Sequence, residues 1–388
     1  MDQKYKLFCT GCGLCQSMGQ CTLETDEKGF LHPKDGDDAW FSKVCPASGC
    51  QMKHMDEKEI WGKYEGVYLG YSSNEEIRKK ASSGGVLSEI AAFLLQTGKV
   101  DEIIHVGADP DDPTKTKIYY STTEEEVLSR CGSRYSISSP LMEISKLDAN
   151  KKYAFIGKPC DVTALRNYMN KKTEMQKQIC YLLSFFCMGL PSVQAQNNLL
   201  KDLDCTHENC RSLVYRGNGW PGYTTAIDKN GKEHRMEYES SWGKYLGRDV
   251  MYACKFCADG LGEMSDISCG DAWYLKDDGT PDFSEMKGRN VIFARTAEGK
   301  KLLDEMEKEG KINCTPYDRF NAELPLIQKS QLQRRQDMRM RILAMKVLGK
   351  PTPSYADRKL KEYSQGVTLK RKMRVFGGTI KRILQKKI

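Results

Sequence analysis

Long apolar runs are missing from this 388-residue chain. The greasiest stretch, Cys180 to Pro191, is far short of the roughly 20 residues that a membrane-spanning helix needs. The first ten residues, MDQKYKLFCT, hold no apolar segment of the kind a secretory leader requires. A cytoplasmic protein is expected, at most peripheral to the inner face of a membrane. Internal repeats and low-complexity runs are also absent, and 39% hydrophobic residues exclude disorder as the dominant state. Cysteine, by contrast, is plentiful at 16 residues. In a reducing compartment disulfides do not explain that number, which leaves metal ligation, catalysis and core packing.

Charge divides the chain. The formal net charge is +8, but residues 321–388 hold 18 Lys and Arg against 4 Asp and Glu, so the remainder is mildly acidic. The first 60 residues are rich in Cys, Gly and Asp and poor in periodic apolar patterning, which marks a module that needs more than a core to hold it together. From Val67 onward strand-like and helix-like segments alternate. Helices are expected after Ser82-Ser83-Gly84-Gly85, from Thr122 or Thr123 to Ser129, through Tyr168 after a turn at Lys158-Pro159-Cys160-Asp161, and from Thr296 to Glu307. Strands are expected at Val100–Val106, Tyr153–Gly157 and Ile179–Phe186, and antiparallel ones at Arg211–Arg216, Tyr223–Ile227 and Glu233–Tyr238, the last two joined at Asn230-Gly231. Such a mixture predicts an α/β (α+β) body: a mixed sheet flanked by helices, with a small ferredoxin-like module at the N-terminus and a basic helical region at the C-terminus.

Cys9, Cys12 and Cys15 form a run with two-residue gaps. That spacing lets consecutive thiolates wrap one face of a cubane cluster, and Gly11 and Gly13 relieve the tight backbone. Zinc sites normally use two Cys pairs with a longer gap. The fourth ligand is either Cys21, which closes the site locally and is slightly preferred, or Cys45, which precedes Pro46 as final ferredoxin ligands often do. Cys254 and Cys257 make a second half-site. Cys160 and Cys187 each follow an expected strand, where functional groups of open α/β sheets gather. Cys50, Cys131, Cys180, Cys269 and Cys314 stand alone and read as small packing residues. Cys205, His207 and Cys210 offer only three zinc donors.

Three further segments have the composition of a ligand wall. Ser83, Gly84 and Gly85 open a helix, where free amides and the helix dipole favour an anion. Ser133, Arg134 and Tyr135 combine a cation with a stacking ring, and Asn218, Gly219 and Trp220 sit in a glycine-rich turn. Each reads equally well as an ordinary cap or turn. Asp161, Asp259 and Asp271 are conceivable proton donors, and each has an alternative as a cap or turn residue.

The segments SSGGVLSEIAAFLLQTGKVDEII, CGSRYSIS, GKPCDVTALR, FFCMG, YRGNGW and YACKFCADGLGEMSDISCGDAW, taken in this order after the N-terminal Cys run, resemble the coenzyme F420 hydrogenase/dehydrogenase beta-subunit family. That family includes 7-hydroxymethyl chlorophyll a reductase. The resemblance covers roughly residues 5–320. It implies an iron–sulfur flavoprotein with two 4Fe-4S clusters and FAD. Cys160, Cys187, Cys254 and Cys257 would hold a cluster near the flavin, and Cys9, Cys12 and Cys15 with Cys21 or Cys45 an outer one. Ser83, Gly84, Gly85, Ser133, Arg134 and Tyr135 would contact FAD, with Asn218, Gly219 and Trp220 near the flavin or its substrate face. The domains implied are residues 1–60 (iron–sulfur module), 61–150 (FAD phosphate side), 151–320 (inner cluster and substrate face) and 321–388 (basic tail).

The resulting expectation is an oxidoreductase that takes single electrons from ferredoxin or a similar donor and reduces an organic or lipid-linked substrate, a cell-envelope polysaccharide precursor being one such class. The alternatives are an electron-transfer subunit serving a partner enzyme or the deazaflavin coenzyme F420, and a structural zinc protein. In the tail, Val375, Phe376, Ile380, Ile383 and Leu384 can share a helical stripe flanked by Lys and Arg, which suits a membrane surface or a protein partner. No nucleic-acid motif accompanies the charge.

Overall fold

Runs of β-branched and aromatic residues pair into one eight-stranded sheet. The computed structural model describes residues 1–49 and 59–385; Cys50, expected as a lone packing cysteine, lies outside the described residues. The strands are β1 (Gly66–Ser72), β2 (Glu102–Ala108), β3 (Thr116–Ser121), β4 (Tyr153–Gly157), β5 (Ile179–Phe185), β6 (Ile267–Asp271), β7 (Asn290–Ala294) and β8 (Ile312–Pro316). Their order is β8-β1-β7-β6-β5-β4-β2-β3. The four central strands β6, β5, β4 and β2 run parallel, and antiparallel strands finish both sides. The architecture is therefore the expected mixed sheet flanked by helices, and it takes strands from both sides of the division expected at residue 150.

Alternation along the strands explains why both faces are covered. Ala154 and Leu183 face a layer that includes Val86, Phe93, Leu94, Leu302 and Met306, from α1 (Val86–Gln96) and α3 (Ala297–Lys308). Phe155 and Leu182 face Val162, Leu165 and Met169 of α2 (Pro159–Met169). Parallel strands covered by helices on both sides are near-continuously apolar, as these are. Thr123 caps its helix as expected, accepting from the Glu126 amide. The strand expected at Val100–Val106 begins two residues later, because Lys99 and Val100 close the turn that ends α1 through the Leu94 carbonyl. Cys210–Val214, Tyr223–Asp228 and Glu233–Glu237 form a separate antiparallel meander.

The two ends of the chain share a core. Tyr5, Phe8, Phe30 and Phe41 pack with Met338, Ile342, Met345, Leu360 and Tyr363. The latter come from α5 (Lys329–Val347) and α6 (Asp357–Tyr363), which follow α4 (Phe320–Ile327) and precede α7 (Leu369–Leu384). The basic C-terminal region is helical, and through α6 it is part of the packed body. The N-terminal module owes its burial partly to it. Among the described residues no helix is long and apolar enough to cross a membrane.

Candidate functional site

Cys160 lies in the first turn of α2 just beyond β4, and Cys187 lies two residues beyond β5, its parallel neighbour. Cys254 belongs to the short helix Tyr252–Lys255, and Cys257 follows it. All four thiols line one cavity together with Thr10, Lys158 and Arg334. Burial pushes Cys254 up to about 11 and Cys257 up to about 12, and it raises Cys160 and Cys187 as well. Two cations oppose that rise. Arg334 acts on Cys187, Cys254 and Cys257, and Lys158 acts on Cys160, Cys187 and Cys254. The Leu190 amide donates to the Cys254 sulfur at 3.4 Å.

The N-terminal thiols converge through their glycines. Gly11 and Gly13 hold φ of 67° and 89°, left-handed values that cost a side-chain-bearing residue strain. The Gly11 amide donates to the Cys9 sulfur at 3.3 Å. Cys9, Cys12 and Cys15 are all buried. Cys45 ends the helix Asp38–Val44, and its thiol is raised by burial and then by Cys9, Cys12 and Cys15. Cys21 engages Cys15. Of the two candidate fourth ligands, Cys45 thus feels all three members of the run, and Cys21 is in contact with Cys15.

One buried ion pair stands between the two thiol sets. Lys158 Nζ lies 2.8 Å from Asp161 Oδ2 and donates to Ser138 Oγ at 3.0 Å. Both groups act on Cys12 of the N-terminal set, whose thiol burial pushes up to about 12. Both also act on Cys160 of the strand-end set. Thr10, between Cys9 and Cys12, lines the strand-end cavity. The two sets therefore adjoin.

A single metal ion needs donors converging on one point, about 2.3 Å from each sulfur for zinc. Among the described residues no three His, Cys, Asp or Glu side chains converge in that way. The strand-end thiols instead line a shared cavity from separate segments, an arrangement suited to a larger multinuclear group, and amide-to-sulfur hydrogen bonds accompany it as they do at iron–sulfur clusters. His207 turns away from Cys205 and Cys210 to bond Thr114 and Asn197.

The three ligand-wall segments meet in space. Ser82 Oγ donates to the Arg216 carbonyl at 3.0 Å and accepts from the Ser133 amide. Gly85, Gly132, Gly217 and Gly219 all have positive φ around this meeting point. Several side chains are already committed. Ser83 Oγ donates to the Arg289 carbonyl and accepts from Asn290 Nδ2, and a Cβ at Gly84 would lie 2.7 Å from Asn290 Oδ1. Arg134 donates to the carbonyls of Leu213, Pro113 and Lys115, so it braces loops. Tyr135 packs on Tyr215 and Trp242. Trp220 is buried, stacks on Trp273 at 4.5 Å and donates to Asp271. Ser133 and Asn218 remain partly or fully exposed.

Of the three aspartates, Asp271 receives both Arg216 nitrogens at 2.7 and 2.9 Å. Asp259 accepts from the amides of Leu261 and Gly262. Asp161 pairs with Lys158, and its Oδ1 has no hydrogen-bond partner. Arg334 and the buried Arg335, which pairs with Glu263, escaped the sequence reading. They look like ordinary members of a basic helix, and no spacing rule links them to cysteines nearly 80 residues or more away.

Comparison with known proteins bears on the family and the fold. Residues 67–146 match the N-terminal part and residues 150–319 the C-terminal part of the beta subunit of coenzyme F420 hydrogenase/dehydrogenase. The coenzyme F420 hydrogenase subunit beta of Methanococcus voltae is 26% identical over 303 residues, which is 76% of this chain and 99% of that protein. The chloroplastic 7-hydroxymethyl chlorophyll a reductase of Oryza sativa subsp. japonica is 23% identical over 337 residues, 83% of this chain and 65% of that protein. A chain of the F420-reducing hydrogenase complex from Methanosarcina barkeri shares the fold, with a TM-score of 0.60 and 22% identity over 78% of this chain and all of that one.

Proposed function

The chain belongs to the coenzyme F420 hydrogenase/dehydrogenase beta-subunit family of oxidoreductases, and on that premise we propose that it is an iron–sulfur flavoprotein that reduces an organic substrate. The observation that carries this reading is the single cavity lined by Cys160, Cys187, Cys254 and Cys257. These four would hold one 4Fe-4S cluster. Cys9, Cys12, Cys15 and Cys45 would hold a second, with Cys21 outside the ligand set. When bound, FAD supplies the conversion between the hydride pair that substrates exchange and the single electrons that clusters relay.

The residues present suit these groups to different degrees. Eight thiols in two sets, with amides aimed at sulfur, suit two clusters. The flavin fit rests on backbone: four positive-φ glycines around the start of α1, with Ser133 and Asn218 free to contact a ligand. Ser83, Gly84 and Gly85 contribute their main chain, while Arg134, Tyr135 and Trp220 hold the loops in place. Lys158 and Arg334 offset the negative charge that four thiolates bring into a buried site. Electrons would enter from ferredoxin or a similar donor, and the substrate would be an organic molecule such as a cell-envelope precursor. The C-terminal helices would serve as a docking surface.

Anaerobic purification with iron, sulfide and flavin quantification tests this directly. The expected content is about eight irons and one FAD per chain, from two cubanes and one flavin. Stoichiometric zinc without iron would sink the reading. A second reading, an electron-transfer subunit, draws support from the match to 99% of a hydrogenase beta subunit. Flavin reoxidation by small molecules without a partner favours the reductase. Turnover only with a copurifying subunit favours the other.

A further inference from the structure

Helix α7 turns much of its apolar surface outward. It is held against α5 by Arg371, which pairs with Asp337 at 2.9 Å and donates to Gln336, and it buries Thr379. Leu369, Met373 and Leu384 are nevertheless 74%, 61% and 70% exposed, and Phe376 and Ile380 are half-buried. At 3.6 residues per turn these five side chains fall within an arc of about 80°, and the helix is about 24 Å long. Lys370, Arg374 and Lys381, all exposed, lie together on one flank of that arc. From Leu369 to Leu384 there are six Lys and Arg and no acidic residue.

We propose that α7 docks the protein onto an anionic lipid bilayer, lying in the headgroup plane with the stripe Leu369, Met373, Phe376, Ile380 and Leu384 pressed into the acyl boundary. The inference rests on the C-terminal helices being a docking surface and names its partner; it is independent of the iron and flavin content. Three features select lipid over an acidic protein. The stripe runs the full length of the helix, whereas protein interfaces concentrate apolar contact in a central patch inside a polar rim. The cations flank the stripe along its length, where headgroup phosphates would lie. No carboxylate on α7 interrupts either band.

The test uses the purified full-length protein in flotation with two vesicle types, phosphatidylcholine alone and phosphatidylcholine with phosphatidylglycerol. Flotation only with the phosphatidylglycerol vesicles, weakened by high salt, is the expected result. The double variant Met373→Glu/Leu384→Glu should lose at least about tenfold in vesicle affinity, because charge in the stripe opposes insertion. The triple variant Lys370→Gln/Arg374→Gln/Lys381→Gln should lose binding to phosphatidylglycerol vesicles. All these side chains are exposed, so unchanged melting and cofactor content verify that the variants fold. Wild-type protein that stays at the bottom of the gradient, or a double variant that floats like wild type, overturns the proposal. If the wild type instead forms a dimer, or binds an acidic ferredoxin, and the double variant abolishes that, lipid is wrong while the docking surface stands. If the double variant alters none of the three, the docking reading fails as well.

Discussion

The two thiol sets are built on opposite plans. Cys9, Cys12 and Cys15 come from seven consecutive residues shaped by two left-handed glycines, and the proposed fourth member, Cys45, comes from the end of a nearby helix. The strand-end set draws Cys160, Cys187, Cys254 and Cys257 from three distant segments, which the parallel strands β4 and β5 and the loop after Asp249 bring to one cavity. A local set depends on loop conformation, and a dispersed set depends on the sheet. The difference predicts separable failures.

The sharpest break is removal of a thiol from one set alone. Cys254→Ala is expected to abolish the strand-end cluster while the N-terminal one survives, leaving about four of about eight irons. Cys45→Ala should do the reverse, and Cys21→Ala should leave iron unchanged, since Cys21 engages only one member of the run. Iron analysis with EPR of the reduced protein reads all three. Full iron in Cys254→Ala refutes that assignment, and loss of a cluster in Cys21→Ala exchanges the roles of Cys21 and Cys45.

Acid probes the sheet beneath the dispersed set. His105 on β2 is 7% exposed and bonds Ser121, and burial, with Arg130 beside it, holds its pKa down to about 4 from 6.5. Its folded pKa is depressed, so the neutral form's contribution is intact above pH 6.5 and is lost as pH falls toward 4, where the unfolded chain binds the extra proton. The gap corresponds to about 3 kcal/mol. Chemical denaturation from pH 7 to 4 should show that loss, and His105→Gln should flatten this part of the profile. An unchanged profile in the variant would show that the imidazole is not the group responsible.

Gly13→Ala addresses the local plan. At φ of 89° an added Cβ would also stand 3.1 Å from the Met142 backbone nitrogen. The expected cost is about 1–2 kcal/mol from the left-handed conformation, read as a lower melting temperature and easier loss of iron from the N-terminal set. Gly19 has a similar φ of 64° but open space around it, so Gly19→Ala should be milder and serves as the control.

The same contrast governs what could be read before the fold was known. The N-terminal run is visible because its thiols are neighbours in the chain, and the sheet is visible because β4 and β5 are mostly apolar segments, each followed within three residues by a cysteine. Spacing alone could not decide between Cys21 and Cys45: Cys21 is nearer in the chain and engages Cys15, while Cys45, thirty residues on, feels Cys9, Cys12 and Cys15. Arg134 had the chemistry of a phosphate contact, yet three carbonyls take its guanidinium. The packing of α5 and α6 against Tyr5, Phe8 and Phe41 left no periodic signal linking the two ends of the chain. What escaped is the pairing of distant polar groups, which geometry fixes and spacing does not encode.

Arg334 carries that lesson into function and gives the finest test of the comparison. It comes from α5, beyond the residues that match the family, and donates to the carbonyls of Cys187 and Met188 at 3.2 and 2.6 Å. Its charge acts on three strand-end thiols, whereas Cys12 in the N-terminal set is reached by Lys158. A nearby cation stabilises the reduced, more negative state of a cluster, so the strand-end cluster should have the higher potential and electrons should fall toward it from the N-terminal one. A unit charge about 8 Å away is worth about 2 kcal/mol at an effective dielectric constant of roughly 20, or about 90 mV for a one-electron couple. Arg334→Gln is therefore expected to lower the strand-end potential by about that much with iron content retained, and Arg334→Lys to restore most of it. The N-terminal potential should barely move. An EPR-monitored redox titration reads both clusters at once, and equal shifts in the two would mean that α5 supports the whole site mechanically and not this one cluster by its charge.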